Sequence, residues 1–421
     1  MLLTEPKKVL IVAPGSRGDV GPYHGMGVRL QEAGHRVVFA SYGHYREMIE
    51  STGLEFHEIA GDARADQDAE LFRHWQDADT GAKKAVDGLR AAQEVAREFH
   101  EQGMEMVAAA EQDVDVMIPS LLAIVGFMVA ESLEIPSIEA FVGPTEPTGA
   151  FPPPVLGIGR SLGRFGNRAL YTLIDKVAKR TGKDPLAQLR ADLGLPPAEK
   201  PDPAKKRDVY YGYSPELLPK PKDWPDGAKV VGYWWPAATG GWAPPAELVD
   251  FLAAGPPPVF ISFGSMTGEG RGEQLSGIVT EALRKAGVRG IVQAGWAGLD
   301  VSGDDVLTVR GEVNHGWLMP RTSAVVHHCG VGTAGAVLRA GVPHVPVPMI
   351  ADQPFWASRL VKLGLSPAVV PFAKLTADRL GDAIKAAVAN PAYRQRAETV
   401  AARVAEEDGA GHIVEAVNQI R

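Results

Sequence analysis

Two doubly wound α/β domains facing one cleft are the fold class this sequence predicts, and three observations predict it. A chain of 421 residues with 45% hydrophobic content is too long for one ordinary core. Short apolar, β-branched runs alternate with helical patterns in the amino-terminal half and again in the carboxyl-terminal half, the order that gives parallel sheets covered by helices. Prolines at 196, 197, 201, 203, 215, 219, 221, 225, 236, 244, 245 and 256 to 258 separate the two series. Proline removes a backbone donor, so that stretch sustains neither a regular helix nor a central strand. The expected division is a first domain at 1–205, a linker region at 206–240, a second domain at 241–400 and closing helices at 401–421.

The first strand is Val9 to Ala13, an apolar run too short for the core of a signal peptide. A loop from Gly15 to Pro22 follows, and a helix is expected to start near Pro22. Arg36 to Ala40 and Val114 to Pro119 read as the next strands, and Ala85 to Ala96 as a helix that is either a lid or an ordinary solvated element. Leu121 to Ala130 is apolar but falls well short of a membrane span. One short strand, Val209 to Tyr213, is expected within the connection. The second series is Val259 to Phe263, Gly290 to Ala294, Val306 to Val309, Ala324 to His328 and His344 to Val347. Helices near Asp378 to Ala389, Tyr393 to Glu407 and Ile413 to Arg421 close the sequence.

Composition narrows the function classes. A net charge of -8 without a Lys/Arg tract argues against nucleic acid as a partner. The single cysteine, Cys329, leaves no pair for an internal disulfide and suits a reducing compartment, so a cytoplasmic location is expected, with no stable membrane insertion. No Cys/His cluster offers a structural zinc site, and the adjacent Asp304 and Asp305 read as an acidic turn rather than a metal box.

The most informative stretch runs from Val325 through His327-His328-Cys329-Gly330-Val331-Gly332-Thr333. A buried strand ends at His328, and the Gly-x-Gly-Thr turns sharply into the helix Ala334 to Ala340. Glycines let backbone approach a ligand, and the unpaired N–H groups of a helix start, aided by its dipole, suit an anion. Thr333 adds a hydroxyl and His328 an imidazole N–H. The other reading is a tight turn with two packed histidines. His327, one step earlier on the strand, faces the opposite way and reads as structural.

The motif at 327–333, with Gly341-Val342-Pro343 and Ile350-Ala351-Asp352-Gln353-Pro354 at their spacings, resembles the donor signature of the UDP-glycosyltransferase superfamily. Pro257 to Met266 and Val313 to Pro320 are also similar to that family, its bacterial natural-product and sterol members especially, and Gly15 to Pro22 resembles their first βα loop. The resemblance implies the glycosyltransferase B fold: two Rossmann-like domains, the second holding the nucleotide sugar and the first the acceptor, with the last helix crossing back to the first domain. It implies metal-independent transfer of a hexose, glucose by preference, from UDP-glucose or a dTDP-sugar, with no other cofactor. The acceptor is a hydroxyl of a hydrophobic natural product (macrolide or polyketide, glycopeptide-like, or sterol) and the product a β-O-glycoside.

Residue roles follow from the same resemblance. Asp19 is the general base, His24 the competing base, and Ser265, His328, Gly330, Gly332 and Thr333 hold the diphosphate. Val313 backbone, His315 and Trp317 lie in the nucleobase region, and Asp352 with Gln353 accept from and donate to sugar hydroxyls. Ala336 stands where plant members place a ribose-binding glutamate, which weakens the preference for UDP over dTDP. The acceptor is expected against Phe72 to Trp75 and Ala140 to Leu170, with Phe72, Trp75, Phe141, Phe151 and Phe165, where aromatics and prolines suit a broad apolar pocket. Bland readings stand beside these roles: Asp19 as a helix cap, His24 and Trp317 as core, and the loop aromatics as packing. Two other functions also fit the chain, an epimerase or hydrolase of nucleotide sugars and a non-catalytic protein that binds an apolar ligand. A dinucleotide dehydrogenase is disfavoured because no Gly-x-Gly-x-x-Gly follows the first strand.

Overall fold

The computed structural model describes residues 5–61, 103, 105–106, 108–109, 113–181, 183–197, 207–237, 242–264, 271–295 and 298–420. Its first sheet is parallel, in the order β3-β2-β1-β4, from β1 (Lys8–Val12), β2 (Arg36–Tyr42), β3 (Glu55–Ile59) and β4 (Val116–Pro119). Val9 to Val12 are wholly buried. Both faces of the strand are covered, which is why it reads as a continuous apolar run rather than an alternation. Three further parallel strands, β5 (Glu139–Phe141), β6 (Val209–Tyr211) and β7 (Ala228–Val230), are joined to β4 through a bridge between Met117 and Ser137. The proline-rich stretch thus carries two strands where one was expected, and both extend the sheet attached to the first domain past residue 205. Pro215, Pro219, Pro221 and Pro225 fall in the loop between them, where the ladder needs no N–H.

The second sheet is parallel in the order β10-β9-β8-β11-β12, from β8 (Val259–Ser262), β9 (Gly290–Gln293), β10 (Val306–Val309), β11 (Ala324–His327) and β12 (His344–Pro346). In each sheet the winding reverses beside the strand that begins it, between β1 and β4 in one and between β8 and β11 in the other. Crevices outside the carboxyl ends of strands at such reversals are where open α/β sheets bind ligands.

Helix α1 spans Arg17–Glu32, starting five residues before the expected Pro22. Ser16 is its N-cap and Asp19 its third residue, so Asp19 lies in the first turn rather than in a preceding loop. The first domain has its own apolar core, and the second sheet carries one on each face. A fourth cluster is shared: Phe141, Phe151, Tyr211, Tyr213 and Trp224 pack with Phe355, Trp356, Val400 and Val404. The helix Gly409–Asn418 returns to the first domain, where Ile413 and Val417 join its core and Asp408 pairs with Arg29 at 3.1 Å. The preceding helix, Pro391–Val404, puts its apolar face into the shared cluster and not into the first domain's own core. Among the described residues no helix is long and apolar enough to cross a membrane.

Candidate active site

At the reversal of the second sheet, the ends of β8 and β11 bring Gly264 and His328 together. The chain leaves β11 through Cys329, a non-glycine residue held at φ 68°, and enters the helix Val331–Ala340 with Gly330 as N-cap. Such a conformation is costly for a side-chain-bearing residue and persists where the surroundings impose it. The imidazole of His328 nests between two glycines: a Cβ on Gly330 would lie 2.7 Å from its Nε2, and one on Gly264 would lie 2.9 Å from its Cε1. Its Nδ1 is buried and has no hydrogen-bond partner among the described residues. Burial, and then the neighbouring His315, bring the ring down to about 4, so it is neutral near pH 7 and can donate one N–H. The first helical bond runs from Ala334 N to Gly330 O, which leaves the N–H groups of Val331, Gly332 and Thr333 without a helical acceptor. His327 points the other way and meets His344, Nε2 to Nδ1, at 2.9 Å. Ser265 lies outside the described residues.

The chain after β12 turns through Ala351, at φ 50°, to the helix Gln353–Lys362. Asp352 Oδ2 accepts from Trp356 Nε1 at 2.6 Å, which fixes the carboxylate. Gln353 is buried, and its Oε1 accepts from Met349 N at 2.8 Å and Ile350 N at 3.2 Å. The Gln353 carbonyl is thereby held by the loop, which leaves its amide N–H groups to face a ligand. Nearby, Asn314 caps the short helix His315–Leu318 by accepting from Trp317 N at 3.1 Å. Trp317 lies 5.6 Å from Trp242 with Arg321 4.5 Å over its ring, and is half-buried. The ring of His315 packs 5.9 Å from Phe260 and is lowered to about 4 by burial, then by Arg17. The N–H and C=O of Val313 make no backbone hydrogen bond among the described residues.

Across the cleft, the reversal between β1 and β4 holds Asp19 and an apolar shelf. Gly15, at φ 116°, lets the chain pass so closely that a Cβ there would lie 2.6 Å from Leu122 Cδ1 and 2.8 Å from Asp19 Oδ2. Leu121, Leu122 and Ile124 are all exposed. Sequence reasoning missed them, having read Leu121 to Ala130 only as an apolar run; an unexplained apolar turn directly after a strand was the available signal. Asp19 Oδ2 accepts from Ser16 N at 2.9 Å and Ser16 Oγ at 2.8 Å, so it does cap its helix. Burial raises the Asp19 carboxyl above its ordinary value, and the Ser16 bonds oppose the rise. Asp352 is pushed up to about 6, by burial first, against the Trp356 bond, and then by the charge of Asp19. The carboxylates of the two domains therefore sense one another. The loops also approach directly: a Cβ on Gly332 would come within 3.9 Å of Gly18 O, and Arg17 pairs with Glu312.

Other expected site residues lie elsewhere. His24 is 1% exposed, its Nε2 2.8 Å from Thr52 Oγ1 and its ring against Phe39, so the expectation of a competing base is corrected to a packed histidine. Phe141 and Phe151 are likewise buried, Phe141 at 6.2 Å from Phe127 and Phe151 at 5.2 Å from Phe355, with Phe151 also forming part of the wall of a small cavity beside Arg160. Phe72, Trp75 and the helix expected at Ala85 to Ala96 lie outside the described residues.

Residues 9–152 match the glycosyltransferase family 28 N-terminal domain, and residues 302–420 match the erythromycin biosynthesis protein CIII-like C-terminal domain. The chain is similar to the O-mycaminosyltylonolide 6-deoxyallosyltransferase of Streptomyces fradiae, 32% identical over 411 residues that cover 96% of this chain and 94% of that one. It is also 32% identical over 426 residues to a sterol 3-beta-glucosyltransferase of Arabidopsis thaliana, covering 98% of this chain but 65% of the length of that relative. Among solved structures, the Streptomyces sp. SF2575 glycosyltransferase SsfS6 complexed with thymidine diphosphate has the same fold, with a TM-score of 0.65 over 98% of this chain and 99% of that one at 22% identity.

Proposed function

The chain belongs to the UDP-glycosyltransferase superfamily, and from that premise we propose that it moves a hexose, glucose foremost, from a nucleotide sugar to a hydroxyl of an apolar natural product or sterol. The observation that carries this reading is the meeting across the cleft of a carboxylate beside an apolar shelf, Asp19 with Leu121 and Leu122, and an anion-binding turn at His328. The acceptor's apolar body rests on the shelf and its hydroxyl donates to Asp19. As the acceptor oxygen bonds to the anomeric carbon from one face, Asp19 takes the proton and the bond to the diphosphate breaks on the other, which gives the β-O-glycoside by inversion. The departing charge is met by the His328 N–H and by the helix N–H groups of Val331, Gly332 and Thr333, with Ser265 as a further donor. Asp352 accepts from sugar hydroxyls and the Gln353 amide donates to them. The main-chain groups of Val313, without a backbone partner among the described residues, suit the edge of a pyrimidine, with Trp317 beside it.

Both donor classes have support: the plant relative is a glucosyltransferase, and the neighbouring solved structure holds thymidine diphosphate. The test is a mass-spectrometric screen of the purified protein with UDP-glucose and dTDP-glucose against sterols, polyketide macrocycles and phenols. A gain of one hexose on an acceptor is expected. Release of free sugar alone would favour a nucleotide-sugar hydrolase, and binding without product across the panel would favour a protein that only holds its apolar ligand.

A further inference from the structure

From Pro147 to Ile174 the sequence contains no acidic residue, yet it holds Arg160, Arg164 and Arg168 in a chain whose net charge is -8; of these, Arg168 is paired with Asp223 at 2.8 Å. The same segment exposes Val155, Leu156 and Leu162, and Phe165 is 89% exposed. This exposure is built rather than frayed. Asn167, fully buried, donates to Gly149 O and to Ser161 Oγ, each at 2.9 Å, and accepts from Leu162 N at 3.0 Å, which locks the turn that holds Leu162 and Phe165 outward. The helix Gly163–Thr181 continues the face with Leu173 and Lys176, both exposed.

Beside this ridge is a small cavity of about 30 Å³, where the loop around Arg160 and Ser161 meets Ser358, Arg359 and Lys362 of the helix Gln353–Lys362. Arg160, Arg359 and Lys362 make no ion pair among the described residues. Arg359 donates through Nε to Leu217 O at 3.3 Å, and burial lowers its pKa, so the guanidinium is held partly out of water with no counter-charge among the described residues. Uncompensated cations interleaved with exposed aromatic and aliphatic side chains are the chemistry of a membrane interface, where anionic headgroups meet the acyl boundary. A second copy of this chain would bring the same cationic face against itself across a two-fold contact, which repels.

We propose that this face docks on the surface of an anionic phospholipid bilayer, the Arg160–Arg359–Lys362 cavity taking a headgroup phosphate while Leu162 and Phe165 enter the acyl boundary. The inference rests on this surface and not on sugar transfer, and its test contains neither donor nor acceptor, so the two readings fail separately. The full chain is sedimented with vesicles of phosphatidylcholine alone and of equimolar phosphatidylcholine and phosphatidylglycerol. Partition to the anionic vesicles is expected to be at least about tenfold stronger and to weaken with added salt. Phe165→Ser and Arg160→Glu should each reduce it about tenfold with thermal unfolding unchanged, since both side chains are exposed. Equal partition to both vesicles, or variants that bind like the parent, would overturn the proposal. So would a lipid-free dimer that Phe165→Ser dissociates, which assigns the face to a second copy, or capture of inorganic phosphate without vesicle binding, which leaves an anion cavity alone.

Discussion

The Asp19 carboxylate does two things with one group: it accepts from Ser16 at the start of its helix, and it raises Asp352 on the other side of the cleft. Because asparagine can still accept from Ser16, Asp19→Asn should keep the fold and the affinity for donor while kcat falls by about 10²–10⁴. Retained turnover, with donor affinity followed by titration calorimetry, would move the base elsewhere. The pH dependence carries a definite sign. A raised carboxyl is protonated at higher pH than usual, and a protonated carboxyl cannot accept the acceptor's proton. The two carboxylates also titrate as an interacting pair. Hence kcat/KM should begin to fall on the acid side at a higher pH than an ordinary carboxylate would give, and Asp352→Asn, which removes one of the repelling charges, should move that limb to lower pH in a pH–rate profile. Asp19 and His328 were legible in the sequence because each sits in a short local motif whose spacing alone suggests its chemistry. The bond that commits the Gln353 carbonyl to the backbone at Met349 and Ile350 was not, because it depends on how the turn through Ala351 is folded.

Single elements make the donor site work through fit. The His328 ring occupies space that exists only because Gly264 and Gly330 lack side chains. Gly330→Ala keeps an allowed backbone at φ -55° but puts a methyl 2.7 Å from Nε2, so the ring must shift. His328→Ala deletes the donor outright. Both substitutions are expected to weaken nucleoside diphosphate binding by about tenfold or more, the loss of one hydrogen bond to a charged group. Unchanged affinity in both would leave His328 a packing residue. The strands were read correctly where both faces are buried, as in β1 and β11, since a continuous apolar run has few other uses. β3, with Glu55, His57 and Glu58 at the sheet edge, and β7, three residues among prolines, lacked that signature. The burial of Phe141 and Phe151 was not legible for a related reason: aromatic residues on a loop have the same composition whether they fill a junction between domains or face a pocket, and their packing on Phe127 and Phe355 appears only in the fold.

At the scale of the molecule, the two sheet reversals face each other because the chain passes between domains twice, once through the Tyr233–Trp235 stretch and once ahead of the helix Gly409–Asn418. That final helix is part of the first domain's core, so Ile413→Ala should cost about 2–5 kcal/mol, seen as a lower midpoint in denaturant unfolding. A midpoint equal to that of the parent would mean the helix is only loosely attached. The two passages touch: a Cβ on Gly409 would lie 2.3 Å from Gly232 O, and Gly232 itself sits at φ 96°, a conformation that glycine alone holds cheaply. Main chain thus closes on main chain at the junction of the two domains, a fit with no room for even one added methyl at Gly409.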